Sequence, residues 1–70
     1  MLELLIDARK RAQLSQAQLA VRLRKPQSFV SKYERGERRL DVIELLHVCH
    51  EVGTDIHEMI RRLEALGREI

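Results

Sequence analysis

An all-α fold, a compact bundle of five short helices, is what this sequence predicts, and three observations predict it. Apolar residues recur at three- and four-residue spacings along almost the whole chain, and no segment alternates as a strand would. Ser15 with Gln18, and Asp41 with Glu44, stand at the spacing of capping boxes that open helices. Gly36 and Gly53 each follow a periodic stretch, where a left-handed residue closes a helix, and Pro26 breaks the pattern between two others. With 70 residues the chain has room for one domain, taken as residues 1–70.

Each element follows in order. Leu2, Leu5, Ile6, Arg9 and Ala12 fall on one face, which predicts a first helix over residues 2–12. The second opens after Ser15, whose hydroxyl accepts from a first-turn N–H while Gln18 reaches back, and Leu19, Ala20 and Leu23 supply its inward stripe. Arg24 and Lys25 form a short connector, and Pro26 pre-sets the backbone for a new helix. The third helix runs from about Gln27 to Arg35 and stops at Gly36. At about 100° per residue, its Phe29, Val30 and Tyr33 share a narrow apolar arc, while Gln27, Ser28, Ser31, Lys32 and Arg35 gather opposite. Phe29, at the edge of that arc, is expected to pack partly on the core, and Tyr33 to be a core residue with its hydroxyl at the rim. Val42, Leu45, Leu46, Cys49 and Val52 trace the fourth helix to Gly53. A fifth helix is placed over residues 55–66, and a heptad-like stripe of Ile56, Met59, Leu63 and Leu66 runs along it and on to Ile70 at the C-terminus.

Composition excludes several classes of function. Lys and Arg total 13 against 11 for Asp and Glu, a net charge of +2, but the excess is concentrated. Between positions 22 and 39 stand Arg22, Arg24, Lys25, Lys32, Arg35, Arg38 and Arg39 against only Glu34 and Glu37, the footprint expected for a polyanion. The lone Cys49 cannot form an intramolecular disulfide, and the opening MLELLIDARKR has neither the positive leader of a signal peptide nor the length of a membrane span. A cytoplasmic location and no membrane partner are expected. There is no phosphate-cradling glycine loop, and Cys49 reads as a small buried hydrophobe, so no enzyme is expected. His47 and His50 lie one turn apart, yet Cys49 points to the apolar face and the histidines, with His57, lie off it. No metal, cofactor or small-molecule ligand is therefore expected.

The segments Leu14-Ser15-Gln16, Leu19-Ala20 and Ser28-Phe29-Val30-Ser31-Lys32-Tyr33-Glu34-Arg35-Gly36, continued by Leu45, Leu46 and Gly53, resemble the phage-repressor-like helix-turn-helix family of the Cro/CI type. The resemblance implies a helix-turn-helix over residues 16–35, approximately, whose second helix enters the major groove of DNA. By position it implies that Gln16 holds a phosphate and buttresses the first recognition residue, that Gln27, Ser28 and Lys32 read bases with Ser31 and Arg35 nearby, and that Arg38 and Arg39 grip the backbone. It also pairs Arg9 with Glu34 across the first and third helices. Two positions depart from the family pattern. Arg24 stands where glycine is usual, so that a non-glycine residue takes a positive φ or the turn differs. Pro26 stands where Ser or Thr usually caps the recognition helix, which leaves first-turn N–H groups freer.

The chemistry suits that role. Glutamine pairs with adenine N6 and N7 and lysine donates to guanine O6 and N7, so Gln27 and Lys32 can read sequence, with Ser28 and Ser31 as adaptable partners. Gln16, Arg24, Lys25, Arg35, Arg38 and Arg39, with Arg22, are the candidate phosphate contacts. One recognition helix reads too few base pairs alone, so a homodimer on a palindromic site is expected, its contact formed by Met59, Leu63, Leu66 and Ile70. The expected function is sequence-specific binding of double-stranded operator DNA by a small regulator, a repressor. The competing expectation is a protein-interaction module, such as an antitoxin-like or restriction-controller-like partner protein.

Overall fold

Four helix ends in this chain are closed by one device: a residue turns into the left-handed region and two amides reach back to the preceding turn. Gln13, Arg24, Gly36 and Gly53 are those residues, with φ of 60°, 58°, 76° and 72°. At Arg24, for example, its own N–H donates to the Val21 carbonyl at 3.1 Å and the Lys25 N–H to that of Ala20 at 3.0 Å. Between these stops the computed structural model, which describes residues 2–68, runs as α1 (Leu2–Arg11), α2 (Gln16–Leu23), α3 (Gln27–Glu34), α4 (Val42–Glu51) and α5 (Ile56–Arg68). The described residues contain no strand, and no helix among them is long and apolar enough to cross a membrane.

Helix starts follow the sequence equally closely. Ser15 Oγ accepts from the Gln18 N–H at 3.0 Å and the Ser15 N–H donates to Gln18 Oε1 at 2.8 Å. Asp41 Oδ1 and Glu44 repeat the exchange at 2.7 and 3.0 Å. Each reciprocal pair satisfies two of the amides that a helix N-terminus otherwise leaves without partners. The connector takes the first of its two expected forms: Arg24 itself accepts the positive φ, and the turn keeps its geometry.

Leu5, Leu19, Val30, Tyr33 and Val48 are fully excluded from solvent, and α3 lies at the centre of this core. Burying each aliphatic side chain of this kind contributes about 1.5–3 kcal/mol. Three expectations change here. In α4 the inward arc is Leu45, Val48, Cys49 and Val52, whereas Val42 and Leu46 turn outward. In α1 the buried positions are Leu5 and Ala8, backed by Leu4 and Ala12, so Ile6 sits at the margin of the face. Finally, the Tyr33 hydroxyl is not at the rim but inside, without a hydrogen-bond partner among the described residues. Burial, the largest cause, raises the pKa of this phenol.

Candidate nucleic-acid interface

The candidate surface is built on α3, and the two faces of that helix separate as the helical spacing predicts. Phe29, Val30 and Tyr33 are buried, while Gln27, Ser28 and Lys32 are exposed. Ser31 is half-buried, and its hydroxyl donates to the Ser28 carbonyl one turn back, at 3.3 Å. At the N-terminus Pro26 holds φ −67° and ψ 155° and offers no side-chain cap. The backbone N–H groups of Gln27 and Ser28 therefore stay available at the positive end of the helix dipole, an arrangement suited to phosphate or to base acceptors.

Behind this surface, Glu34 ties three helices together. Its Oε2 accepts from Arg9 Nε at 2.8 Å, and its Oε1 accepts from Arg9 Nη2 at 3.1 Å and from Gln16 Nε2 at 2.9 Å. Arg9 Nη1 also donates to the Leu14 carbonyl at 2.9 Å. The side chains of the pair are only 11% and 5% exposed, and the hydrogen bonds to Glu34 are the first cause holding the Arg9 pKa above its usual value. The arrangement ties α3 to both α1 and α2.

The cations around α3 divide into two sets. Arg24, Lys25, Lys32 and Arg39 are exposed and form no ion pair among the described residues. Arg35 is paired with Glu37 at 3.0 Å, and Arg38 is held bidentate by Glu44 at 2.8 and 3.0 Å. Arg22 lies further off, with Nη1 3.4 Å from the Glu51 carbonyl. Held first by Arg38 and then by the Asp41 amide, the Glu44 carboxyl has its pKa pulled down to about 2. The Arg38 guanidinium also lies 4.6 Å from the Phe29 ring centroid, and Lys25 Nζ lies 5.7 Å from it. Phe29 in turn meets Tyr33 edge-on, with centroids 5.7 Å apart.

Comparison with known proteins matches this architecture directly. The model of the helix-turn-helix family HTH_3 matches residues 5–59. The chain belongs to that helix-turn-helix family. Among solved structures, an XRE-family like protein from Pseudomonas syringae pv. tomato str. DC3000 is similar over 93% of this chain and 79% of its own, at 52% identity and a TM-score of 0.88. No curated protein sequence matches the chain. Family and neighbour make the chain one of the DNA-binding transcription regulators in kind.

For this helix-turn-helix protein, sequence reasoning missed two partners. Glu44 reads along the chain as half of a capping box, and its second bond, to Arg38, crosses a loop where no local pattern signals it. Phe29 reads as a core residue, which it is, yet its ring also lies under the two cations. The expected dimer stripe also divides. Met59 is 1% exposed and closes the core of the single chain, so it has no surface to offer a second copy. Leu63 packs partly against the core, Leu66 is exposed, and Ile70 lies outside the described residues. Ile60, absent from the expected stripe, is exposed on the same helix.

Proposed function

We propose that the chain is a transcriptional repressor that acts in the cytoplasm as a homodimer on a palindromic operator. The observation that carries the reading is the outward face of α3: an uncapped helix start with exposed Gln27 and Ser28, exposed Lys32 in the last turn, and flanking cations that form no ion pair among the described residues. Gln27 and Lys32 read base edges, with Ser28 and Ser31 completing the face. Arg24, Lys25 and Arg39 neutralise phosphates, Arg35 joins them on release from Glu37, and Gln16, whose side chain is bonded to Glu34, joins them on release from that carboxylate. Repression follows from occupancy of a site that overlaps a promoter. Dimer formation rests on Leu66, with Leu63 and Ile60 beside it, because a single α3 contacts too few bases for useful affinity.

Selection from a random DNA pool followed by binding titrations tests this. The selected site is expected to be a two-fold repeat bound by two chains. Gln27→Ala and Lys32→Ala are each expected to lose about 1–3 kcal/mol on the selected site, with little change on unrelated DNA. Recovery of no preferred sequence, or equal losses on both DNAs, would overturn base reading. A one-to-one complex on a single half-site would overturn the dimer, and so would a sedimentation mass that Leu66→Glu leaves unchanged.

A further inference from the structure

Arg38 stands in the loop after α3 where a phosphate contact is expected, yet its surroundings give it another occupation. The guanidinium is planar and presents its donors along its edge and its π-face above and below. Its edge is spent on Glu44, with Nη1 and Nη2 on the two carboxylate oxygens at 3.0 and 2.8 Å, and Nη1 also donates to the Arg39 carbonyl at 3.0 Å. Its central carbon, Cζ, lies over the Phe29 ring, 4.6 Å from the centroid. Glu44 is itself fixed, since its Oε1 accepts the Asp41 N–H and its own N–H donates to Asp41 Oδ1. One side chain thus joins the recognition helix, the Gly36–Asp41 loop and the first turn of α4. Arg39, next in the chain, has its carbonyl held by Arg38 while its side chain is exposed and carries no ion pair among the described residues.

We propose that Arg38 is a positioning residue rather than a phosphate contact: a planar strut between Phe29 and Glu44 that holds the loop so that Arg39 meets the DNA backbone. The proposal rests on the DNA-binding reading for its functional half, while the strut itself is a property of the free protein. Two charge-conscious substitutions separate the roles. Glu44→Gln keeps the capping box but removes the bidentate partner, and it also deletes a negative charge from a surface that is to approach a polyanion. If Arg38 grips phosphate, Glu44→Gln releases it and binding tightens; if Arg38 is a strut, binding weakens against the electrostatic trend. Arg38→Lys keeps the charge and loses both the fork and the planar face, so it preserves a phosphate contact and breaks a strut.

The experiment measures operator affinity, and amide hydrogen exchange over residues 37–41, for the wild type, Glu44→Gln, Arg38→Lys and the double variant. The expected result is a weakening of about two- to fivefold in each single variant, the worth of a partly exposed cation–π contact. The double variant is expected to be no worse than either single one, because the groups act as a unit, and loop exchange should rise in all three. Tighter or unchanged binding by Glu44→Gln, wild-type binding by Arg38→Lys, or loop exchange that none of them alters would each overturn the proposal. Should the wild type bind no DNA, the functional reading falls, and the exchange data decide the strut independently.

Discussion

The two ends of α3 are finished in opposite ways. At its start the chain tolerates a strained residue, Arg24 at φ 58°, and a proline that caps nothing, so amides and side chains stay available. At its end Gly36 takes the left-handed turn, Glu34 is bonded by Arg9 and Gln16, and Arg38 is spent on Phe29 and Glu44. The difference shows how eight helical residues can serve both the core and the proposed reading face. Hydrogen-bonding capacity is kept for a ligand at one end, and the rigidity that aims it is supplied at the other.

The largest test of this contrast is at Glu34. Glu34→Ala leaves Arg9 and Gln16 without their acceptor in a nearly closed site, and is expected to lower stability by about 3–5 kcal/mol, read as a shift in the urea midpoint. An unchanged midpoint would mean that the rigid end is held by apolar packing alone. Smaller effects, opposite in sign to each other, are expected from two glycine exchanges. Gly36→Ala places a Cβ 3.5 Å from Leu2 Cδ1, an ordinary contact, so only the positive φ opposes it. The expected loss is about 1 kcal/mol, the left-handed cost less the entropy removed from the unfolded chain. Arg24→Gly relieves the same strain at the other end and is expected to gain about 0.5 kcal/mol after the extra freedom of glycine is subtracted. Equal signs in thermal melts would show that the two stops are not equivalent in backbone strain.

The smallest effect is one of pH. Glu44 has its folded pKa lowered, so its contribution is complete above the ordinary carboxyl value near 4.5 and is lost as pH falls through about 2. The stability difference between the wild type and Glu44→Gln should therefore be flat from neutral pH to about pH 5 and shrink only below it. A difference that vanishes already at pH 4 would mean that the Arg38 clamp is loose in solution.

How much of this was legible in the sequence depended on whether the signal was local. Caps and stops are local, and Ser15, Asp41, Gly36 and Gly53 marked helix boundaries to within a residue or two. The split of α3 was legible because its polar and apolar residues do not intermix. In α4 they do: Val42, Ile43, Leu45, Leu46, Val48, Cys49 and Val52 surround most of the helix, so periodicity could not select the inward arc. Met59 has the same spacing whether it closes a core or meets a second chain, and only packing decides between them. The Arg38 pair and the burial of the Tyr33 hydroxyl are tertiary facts, set by where helices cross rather than by any neighbour in sequence.

That tyrosine has a practical consequence. It is the chain's single tyrosine, and there is no tryptophan, so near-ultraviolet absorbance and intrinsic fluorescence report from one place. The place is the inner face of α3, edge-on to Phe29 and one residue from Glu34. Alkaline titration should therefore show the phenolate band only as the fold opens, since burial opposes ionisation of the closed form. The protein carries its own optical probe at the base of the helix proposed to read DNA, shielded from the ligand and sensitive to the packing that aims it.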